Sequence, residues 1–182
     1  MTVEEPQIDV IENEKCPICG ENTLTLTEME RDIPFFGPLA IFSMDCDNCK
    51  YHKADVEALE EHDPVKFVLE VENDEDLKIR VIKSSFALIK IAHVGSIEPG
   101  EASNGYITNV EGILNRMKRQ VESIRDNSDD PSDVKKAKNI IKKLQKVLWG
   151  HEKLKITLED PTGNSAIISD KAVKSALKVK KK

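Results

Sequence analysis

The sequence is poor in aromatic residues and has no long apolar run. Phe, Trp and Tyr make up 4% of its 182 residues, which leaves few rings for stacking on nucleic-acid bases. No stretch reaches the roughly 18 apolar residues of a membrane-spanning helix. The start, MTVEEPQIDVIENEK, is acidic where a signal peptide would be basic and then apolar. We therefore expect a soluble, cytoplasmic protein with no membrane role.

Cysteine is also scarce, with four in the chain. A chain of this length buries a core without disulfides, and in a cytosolic protein such a small set favours a metal or catalytic role. The four stand as two pairs, CPICG and CDNC, which at hairpin ends can bring four thiolates to about 2.3 Å from a tetrahedral Zn²⁺. A redox CxxC would instead stand as one pair beside a βαβ unit. The predicted ligands of one structural zinc ion are Cys16, Cys19, Cys46 and Cys49.

The second cysteine pair is followed by Lys50 and His52 rather than by the glycine that such knuckles usually carry. A left-handed backbone at Lys50 costs about 1–2 kcal/mol, and zinc binding worth on the order of 10 kcal/mol absorbs that cost. Because four thiolates already fill the tetrahedron, His52 is not needed as a ligand. We expect its side chain to be exposed or to lie beside the site.

No group of residues predicts an enzyme. A zinc ion held by four cysteines has no open position for water. The other histidines have no Ser or Cys motif beside them, and a metal-dependent enzyme of the β-barrel type would need several histidines and carboxylates inside the barrel. His93 is the only histidine in the predicted strands.

The cysteine module divides the chain into three parts. Residues 1–14 form an acidic, weakly ordered lead-in, residues 15–53 a zinc ribbon, and residues 54–182 a second domain. Period-two alternation predicts two ribbon strands, TLTLTEM and LAIFSM. In the second domain, three β-branched runs predict an antiparallel meander: VKFVLEV, LKIRVIK and FALIKIA. The composition of Gly95–Gly105 is that of a loop.

The apolar period changes to that of a helix after this loop. Thr108 and Glu111 form a T-x-x-E capping box, and a second helix begins with Asp130 as N-cap and Pro131 at its first position. Strands follow in KLKITLED and SAIIS, and the final DKAVKSALKVKKK predicts a short basic helix. A helical hairpin at 108–150, inserted between strands that pair, predicts an α+β, mostly β domain.

The charge is divided along the chain. Residues 1–76 carry a net charge of −16 and residues 77–182 a net charge of +10. Neutralisation of phosphates by Lys and Arg dominates nucleic-acid affinity, so the acidic part favours a protein partner with basic surface over nucleic acid. The alternative is a zinc ribbon that binds nucleic acid or the ribosome in transcription or translation, because the basic helices and tail could contact RNA.

Three stretches, in this order, resemble the ZPR-type zinc-finger family of eukaryotes and archaea. They are the cysteine pairs with the internal IPFFG, GYITNVEGIL at Gly105–Leu114, and LEDPTGNSAI at Leu158–Ile167, and the likeness runs from about Lys15 to Ser169. The resemblance implies a four-cysteine zinc ribbon followed by a double-stranded β-helix-like domain with an inserted helical hairpin. Eukaryotic members carry two such modules, and this chain carries one, as archaeal members do.

The resemblance also implies a function. Members are cytosolic factors that bind the EF-Tu-like translation elongation factor, preferentially in its GDP form, and assist its folding. Phe35 and Phe36, in the turn DIPFFGP, are one candidate contact with such a partner. The alternative for these large rings is that they cap the small core beside the metal.

The DPTGNS segment is the second candidate contact. Asp160 and Gly163 suit a tight turn with Pro at its second position. Asn164 and Ser165 are not needed for a turn, and the family motif therefore makes them candidates for partner contact.

Overall fold

The computed structural model describes residues 8–33, 36–100 and 103–178, so Phe35 lies outside the described residues. Four strands make the first sheet: β1 (Ile8–Lys15), β2 (Asn22–Ile33), β3 (Gly37–Cys46) and β4 (His52–Ala58). The next elements are β5 (Val65–Val71), α1 (Asp74–Leu77), β6 (Arg80–Lys83), β7 (Leu88–Ile91), β8 (Gly95–Ile97) and β9 (Tyr106–Asn109). The last are α2 (Val110–Asn127), α3 (Pro131–Leu148), β10 (Leu154–Asp160), β11 (Ala166–Ile168) and β12 (Val173–Ala176).

The ribbon is an antiparallel sheet in the order β1-β2-β3-β4. The predicted hairpin is confirmed, because β2 and β3 pair without a register shift from Leu24↔Cys46 to Ile33↔Gly37. The prediction of a weakly ordered lead-in is wrong for residues 8–14, because these residues belong to β1, which pairs with β2. Alternating Ile8 and Val10 supply the strand pattern within an otherwise acidic segment.

The second domain contains a five-stranded sheet in the order β12-β5-β10-β7-β8 and a three-stranded sheet in the order β11-β6-β9. One core takes side chains from both sheets and both long helices; its fully buried members include Leu69, Ile89, Ile113, Leu114, Leu144, Ile156 and Leu158. The predicted meander is wrong, because β10 lies between β5 and β7 and pairs with both. Alternation identifies a strand but not its partner, and here the partner follows the helical hairpin.

The helical hairpin is confirmed, with one change at its start. Asn109, rather than Thr108, caps α2 and accepts a hydrogen bond from the Gly112 N–H at 2.8 Å. Asp130 caps α3 as predicted, and its carboxylate accepts from the Ser132 N–H at 2.8 Å. Over the described ranges, neither helix is long and apolar enough to cross a membrane.

Two further predictions for the second domain are wrong. Part of the expected loop, Gly95–Ile97, is β8 and pairs with β7. Part of the expected basic helix is β12, which pairs with β5 from Val173↔Val68 to Ala176↔Val65. Lysines spaced among small apolar residues are compatible with the period of a helix and with that of a strand. This segment forms a strand because it pairs with the edge of β5 that β10 leaves open.

The ribbon packs on the second domain through a small apolar cluster and one tight backbone contact. Leu39 and Val56 of the ribbon meet Ile82 of β6. Beside them, the Gly105 N–H donates to Asp55 Oδ1 at 2.6 Å. A Cβ built at Gly105 would lie 2.8 Å from both Asp55 Oδ1 and the Val56 carbonyl oxygen. A glycine is therefore needed where the two domains meet.

We expect Gly105→Ala to lower the free energy of unfolding by about 1–3 kcal/mol, since a methyl group forced into a packed contact moves backbone or side chains. Chemical denaturation measures the change. The matched control is Gly100→Ala, where the nearest heavy atom lies 3.9 Å from an added Cβ. Equal effects of the two substitutions would contradict the tight contact.

Candidate metal centre and interdomain groove

The two cysteine pairs form knuckles of the same design. In the first, the Gly20 N–H donates to the Cys16 carbonyl at 2.9 Å, and in the second the Lys50 N–H donates to the Cys46 carbonyl at 3.0 Å. Gly20 has φ +78° and Lys50 has φ +60°. The left-handed backbone predicted for Lys50 is confirmed, and it reproduces with a side chain the turn that glycine makes in the other knuckle.

The four thiols converge on one point. All four Sγ atoms lie within 4.8 Å of one another, with Cys16 Sγ 3.7 Å from Cys49 Sγ and Cys19 Sγ 3.8 Å from Cys46 Sγ. Four sulfurs placed tetrahedrally at the zinc–sulfur distance would be about 3.8 Å apart. The cluster therefore fits one structural Zn²⁺ and leaves no open coordination position.

Hydrogen bonds to the sulfurs favour the thiolate form at one ligand. Thr23 Oγ1 lies 3.3 Å from Cys46 Sγ. This hydroxyl has the largest effect among the hydrogen bonds that, against the effect of burial, lower the pKa of Cys46 to about 6. At Cys49 the Tyr51 backbone amide lowers the pKa, but burial and the neighbouring thiols outweigh it and raise the pKa to about 12. A divalent ion at the centre of the cluster would offset both the burial and the neighbouring sulfurs that raise the pKa of Cys49.

His52 stays outside the cluster. Its Nδ1 lies 2.6 Å from Asp45 Oδ1, and both side chains are more than half exposed. Among the described residues the group that can hold a metal consists of the four cysteines. The prediction of an exposed His52 is confirmed.

The two candidate partner segments meet in one groove. Phe36 from the β2–β3 turn and Gly163 and Ser165 from the β10–β11 turn line a groove of about 560 Å³ between the domains. Phe36 packs against the core of the second domain and against the interdomain cluster. The interpretation of this ring as a cap beside the metal is therefore wrong, because β2 and β3 place it at the opposite end of the hairpin from Cys46.

Two polar atoms without partners lie in this region, one on His62, which lines the groove, and one on Asn164, which does not. The His62 ring lies 5.3 Å from the Phe36 ring. Within the described chain, His62 Nε2 and Asn164 Oδ1 are buried and make no hydrogen bond. Lys174, whose Nζ lies 5.9 Å from the centre of the Phe67 ring, is at the β12 side.

A buried carboxylate holds the β10–β11 turn. Asp160 Oδ1 accepts from the Thr162 N–H at 2.8 Å and from the Thr162 hydroxyl at 2.7 Å. Asp160 Oδ2 accepts from the Ser84 hydroxyl at 2.7 Å and from the Ser165 hydroxyl. Asp160 is 0% exposed and Ser165 1% exposed. Asp160 therefore acts on the groove through the turn that it fixes, whereas Ser165 both belongs to this network and lines the groove.

Position 163 requires a glycine for two reasons, its φ of +78° and the close approach of neighbouring backbone atoms. A Cβ there would collide with the carbonyl oxygen of Asp63 and lie 2.7 Å from the carbonyl carbon of His62. The sequence predicted a turn here but missed Ser84 and His62, which are 76 and 101 positions from Asp160 and Gly163. No local pattern marks either residue as a partner of this turn.

A four-cysteine ribbon followed by a β-domain with an inserted helical hairpin defines the class of this protein: a zinc-finger protein with a jelly-roll domain. Residues 9–64 match the family model of the ZPR1 zinc-finger domain, and residues 75–182 match that of the ZPR1 jelly-roll domain. The chain belongs to the ZPR1 family.

Relatives include archaeal and eukaryotic proteins. An uncharacterized ZPR1-like protein of Methanocaldococcus jannaschii is 37% identical over 85% of this chain and 79% of its own length. A similar protein of Pyrococcus horikoshii is 36% identical over 86% of this chain and 72% of its own length. The zinc finger chaperone zpr1 of Schizosaccharomyces pombe is 31% identical over 84% of this chain, which spans 33% of that longer protein.

We expect Cys46→Ser to remove the bound zinc and unfold the ribbon, because three thiolates and a hydroxyl make a weaker set of ligands than four thiolates. The second domain should stay folded, since its core comes largely from its own strands and helices. Native mass spectrometry measures zinc per chain, and circular dichroism measures the remaining structure. Thr23→Val, which removes the hydroxyl beside Cys46 but keeps four thiols, should retain one zinc ion. Full zinc occupancy in Cys46→Ser would contradict the assignment.

We expect Asp160→Ala to lower the free energy of unfolding by about 2–4 kcal/mol, because it leaves buried hydroxyl donors without an acceptor. Urea denaturation measures this loss. Asp170 is an exposed carboxylate near β11, and Asp170→Ala should change stability by less than about 0.5 kcal/mol. Similar small effects for both substitutions would show that the buried network contributes little.

Proposed function

We propose that this protein binds the EF-Tu-like translation elongation factor in its GDP form and assists its folding, and that the interdomain groove receives part of that partner. The observation that carries the proposal is the meeting of Phe36 with Gly163 and Ser165 in one groove. These residues come from two stretches more than a hundred positions apart, and both belong to the family motifs. Stable packing of the ribbon on the second domain does not by itself require an open groove where these two stretches meet.

The groove has the mixture of surfaces that a protein ligand uses. Its walls are apolar at Phe36, Phe67 and Ala166, while Lys174 adds a positive charge. His62, which also lines the groove, has a buried Nε2 with no partner in the described ranges. Burying a polar atom without a hydrogen bond is costly, so a ligand that reaches this nitrogen and pairs with it gains affinity and specificity.

Charge supports a partner with basic surface. The first 76 residues carry a net charge of −16, and exposed acidic side chains at Glu61 and Asp63 line the ribbon side of the groove. Such a surface attracts basic protein surfaces and repels phosphates. A tRNA-binding surface of an elongation factor is basic in places and complements it.

The printed name of the fission-yeast relative, a zinc finger chaperone, supports a chaperone-type role. That relative is a longer protein, and the match to this chain spans 33% of its length. We propose that one zinc ribbon and one jelly-roll domain suffice for the shared part of that activity.

We expect Ala176→Arg to weaken binding of the GDP-bound elongation factor by at least tenfold, about 1.4 kcal/mol, because an added guanidinium fills the groove. Ala176 is an exposed residue of β12 that lines the groove. The measurement is calorimetric titration of the zinc-loaded chain with the elongation factor in GDP and in a GTP analogue. Tighter binding of the GDP form by the unmodified protein is the expected result.

Val173→Arg is the matched control, since Val173 lies on the same strand, is 65% exposed and does not line the groove. It should leave the affinity unchanged within about twofold. Equal losses in the two variants would place the contact elsewhere. If neither nucleotide form binds while ribosomal RNA binds in a salt-dependent manner, the nucleic-acid alternative replaces this proposal.

A further inference from the structure

A second concave site lies on the second domain, and none of the residues that line it belongs to the zinc ribbon or lines the interdomain groove. Ile97 of β8, Tyr106 of β9 and three residues of α2 line a cavity of about 320 Å³; those three are Arg116, Arg119 and Gln120. Neither the proposed function nor the zinc ribbon requires two guanidinium groups here.

The positive charge of this cavity is not balanced locally. Over the described parts of the chain, no carboxylate lies within 4.0 Å of the Arg116 or Arg119 guanidinium. By contrast Arg125, on the same helix, forms an ion pair with Asp126 at 2.7 Å. Arg119 Nε donates to the Asn115 carbonyl at 3.4 Å. The other donors of these two arginines, which are about one helical turn apart on the lining of one concavity, have no carboxylate partner in the described ranges.

A third cation lies behind the same ring. Lys83 is 2% exposed, and its Nζ donates to the Ser84 carbonyl at 2.8 Å and lies 5.6 Å from the centre of the Tyr106 ring. Burial lowers the pKa of Lys83, and the charges of Asp160 and Asp55 partly offset this effect. Lys83 is therefore a cation inside the domain whose charge Asp160 and Asp55 partly balance, and it does not line the cavity.

Tyr106 organises the site. The Arg116 guanidinium carbon lies 4.2 Å from the centre of its ring, and a stacked guanidinium keeps its edge N–H donors free for oxygen ligands. The Tyr106 hydroxyl is buried and, among the described residues, has no hydrogen-bond partner. Burial raises the pKa of Tyr106, so the phenol stays protonated at neutral pH and can donate.

We propose that Arg116, Arg119 and Tyr106 bind a phosphate group, free or carried by a small organic molecule. Two guanidinium groups and the Gln120 amide from α2 and the phenol of Tyr106 from β9 line the cavity, and several such donors suit the oxygens of a tetrahedral dianion. The volume exceeds that of phosphate alone, and the Ile97 side chain offers an apolar wall to an attached organic group. The site is independent of the proposed elongation-factor groove.

The test is an NMR titration of the zinc-loaded chain that follows the Ile97 methyl resonance. Inorganic phosphate is added at constant ionic strength against chloride, and glycerol phosphate and a short single-stranded RNA are separate titrants. We expect a saturable Ile97 shift with inorganic phosphate. Tighter binding of glycerol phosphate would assign the organic form as the ligand, and equal or weaker binding would assign free phosphate.

Arg119→Gln should weaken phosphate binding at least tenfold, because it removes a charge-assisted contact. Tyr106→Phe keeps the ring under Arg116 and should weaken binding several-fold through loss of the hydroxyl alone. Arg125→Gln, on the same helix but outside the cavity, should change the affinity by less than twofold. A non-saturable phosphate response, an Ile97 shift with RNA only, or equal losses in Arg119→Gln and Arg125→Gln would each overturn the proposal.

Discussion

One buried carboxylate determines the arrangement of the groove side of this protein. Asp160 ends β10 and accepts hydrogen bonds from Ser84, which follows β6, and from Ser165, which precedes β11. It thereby ties the central strand of one sheet to two strands of the other. The turn that it fixes presses Gly163 against the backbone of His62 and Asp63, which connect the ribbon to the second domain. The groove exists because this connection is held in place.

The zinc ion and the groove are linked by the β2–β3 hairpin. The thiolates fix one end at Leu24↔Cys46, and the other end at Ile33↔Gly37 delivers Phe36 to the second domain. The nine residue steps between these ends span about 30 Å at the rise of an antiparallel strand. A zinc ion bound by these thiolates thus stabilises more than the two knuckles. It also anchors the strands that place Phe36 in the wall of the groove.

Local patterns predicted the parts of this fold that depend on near neighbours. The left-handed Lys50 and the Asp130 cap rest on interactions within a few residues. The cysteine pairs and the ribbon hairpin join segments that follow one another directly in the chain. The errors concern long-range pairing. Placement of β10 between β5 and β7, and selection of β12 as a strand, depend on edges formed by distant segments. The joining of Ser84 to Asp160 across 76 positions is of the same kind.

The acidic and basic parts of the sequence form different sites: acidic side chains line the interdomain groove, and arginines line the second cavity. Asp55 lies where the two domains meet. Its carboxylate accepts from the Gly105 N–H of the second domain and raises the pKa of Lys83 against the effect of burial. Tyr106 follows Gly105 directly, and the Arg116 guanidinium stacks on its ring. Any shift of the ribbon that moves Asp55 therefore changes the field at Lys83 and pulls on the strand that positions Tyr106. Domain docking and the proposed anion site thus meet at consecutive residues, because Gly105 contacts the ribbon and Tyr106 lines the cavity.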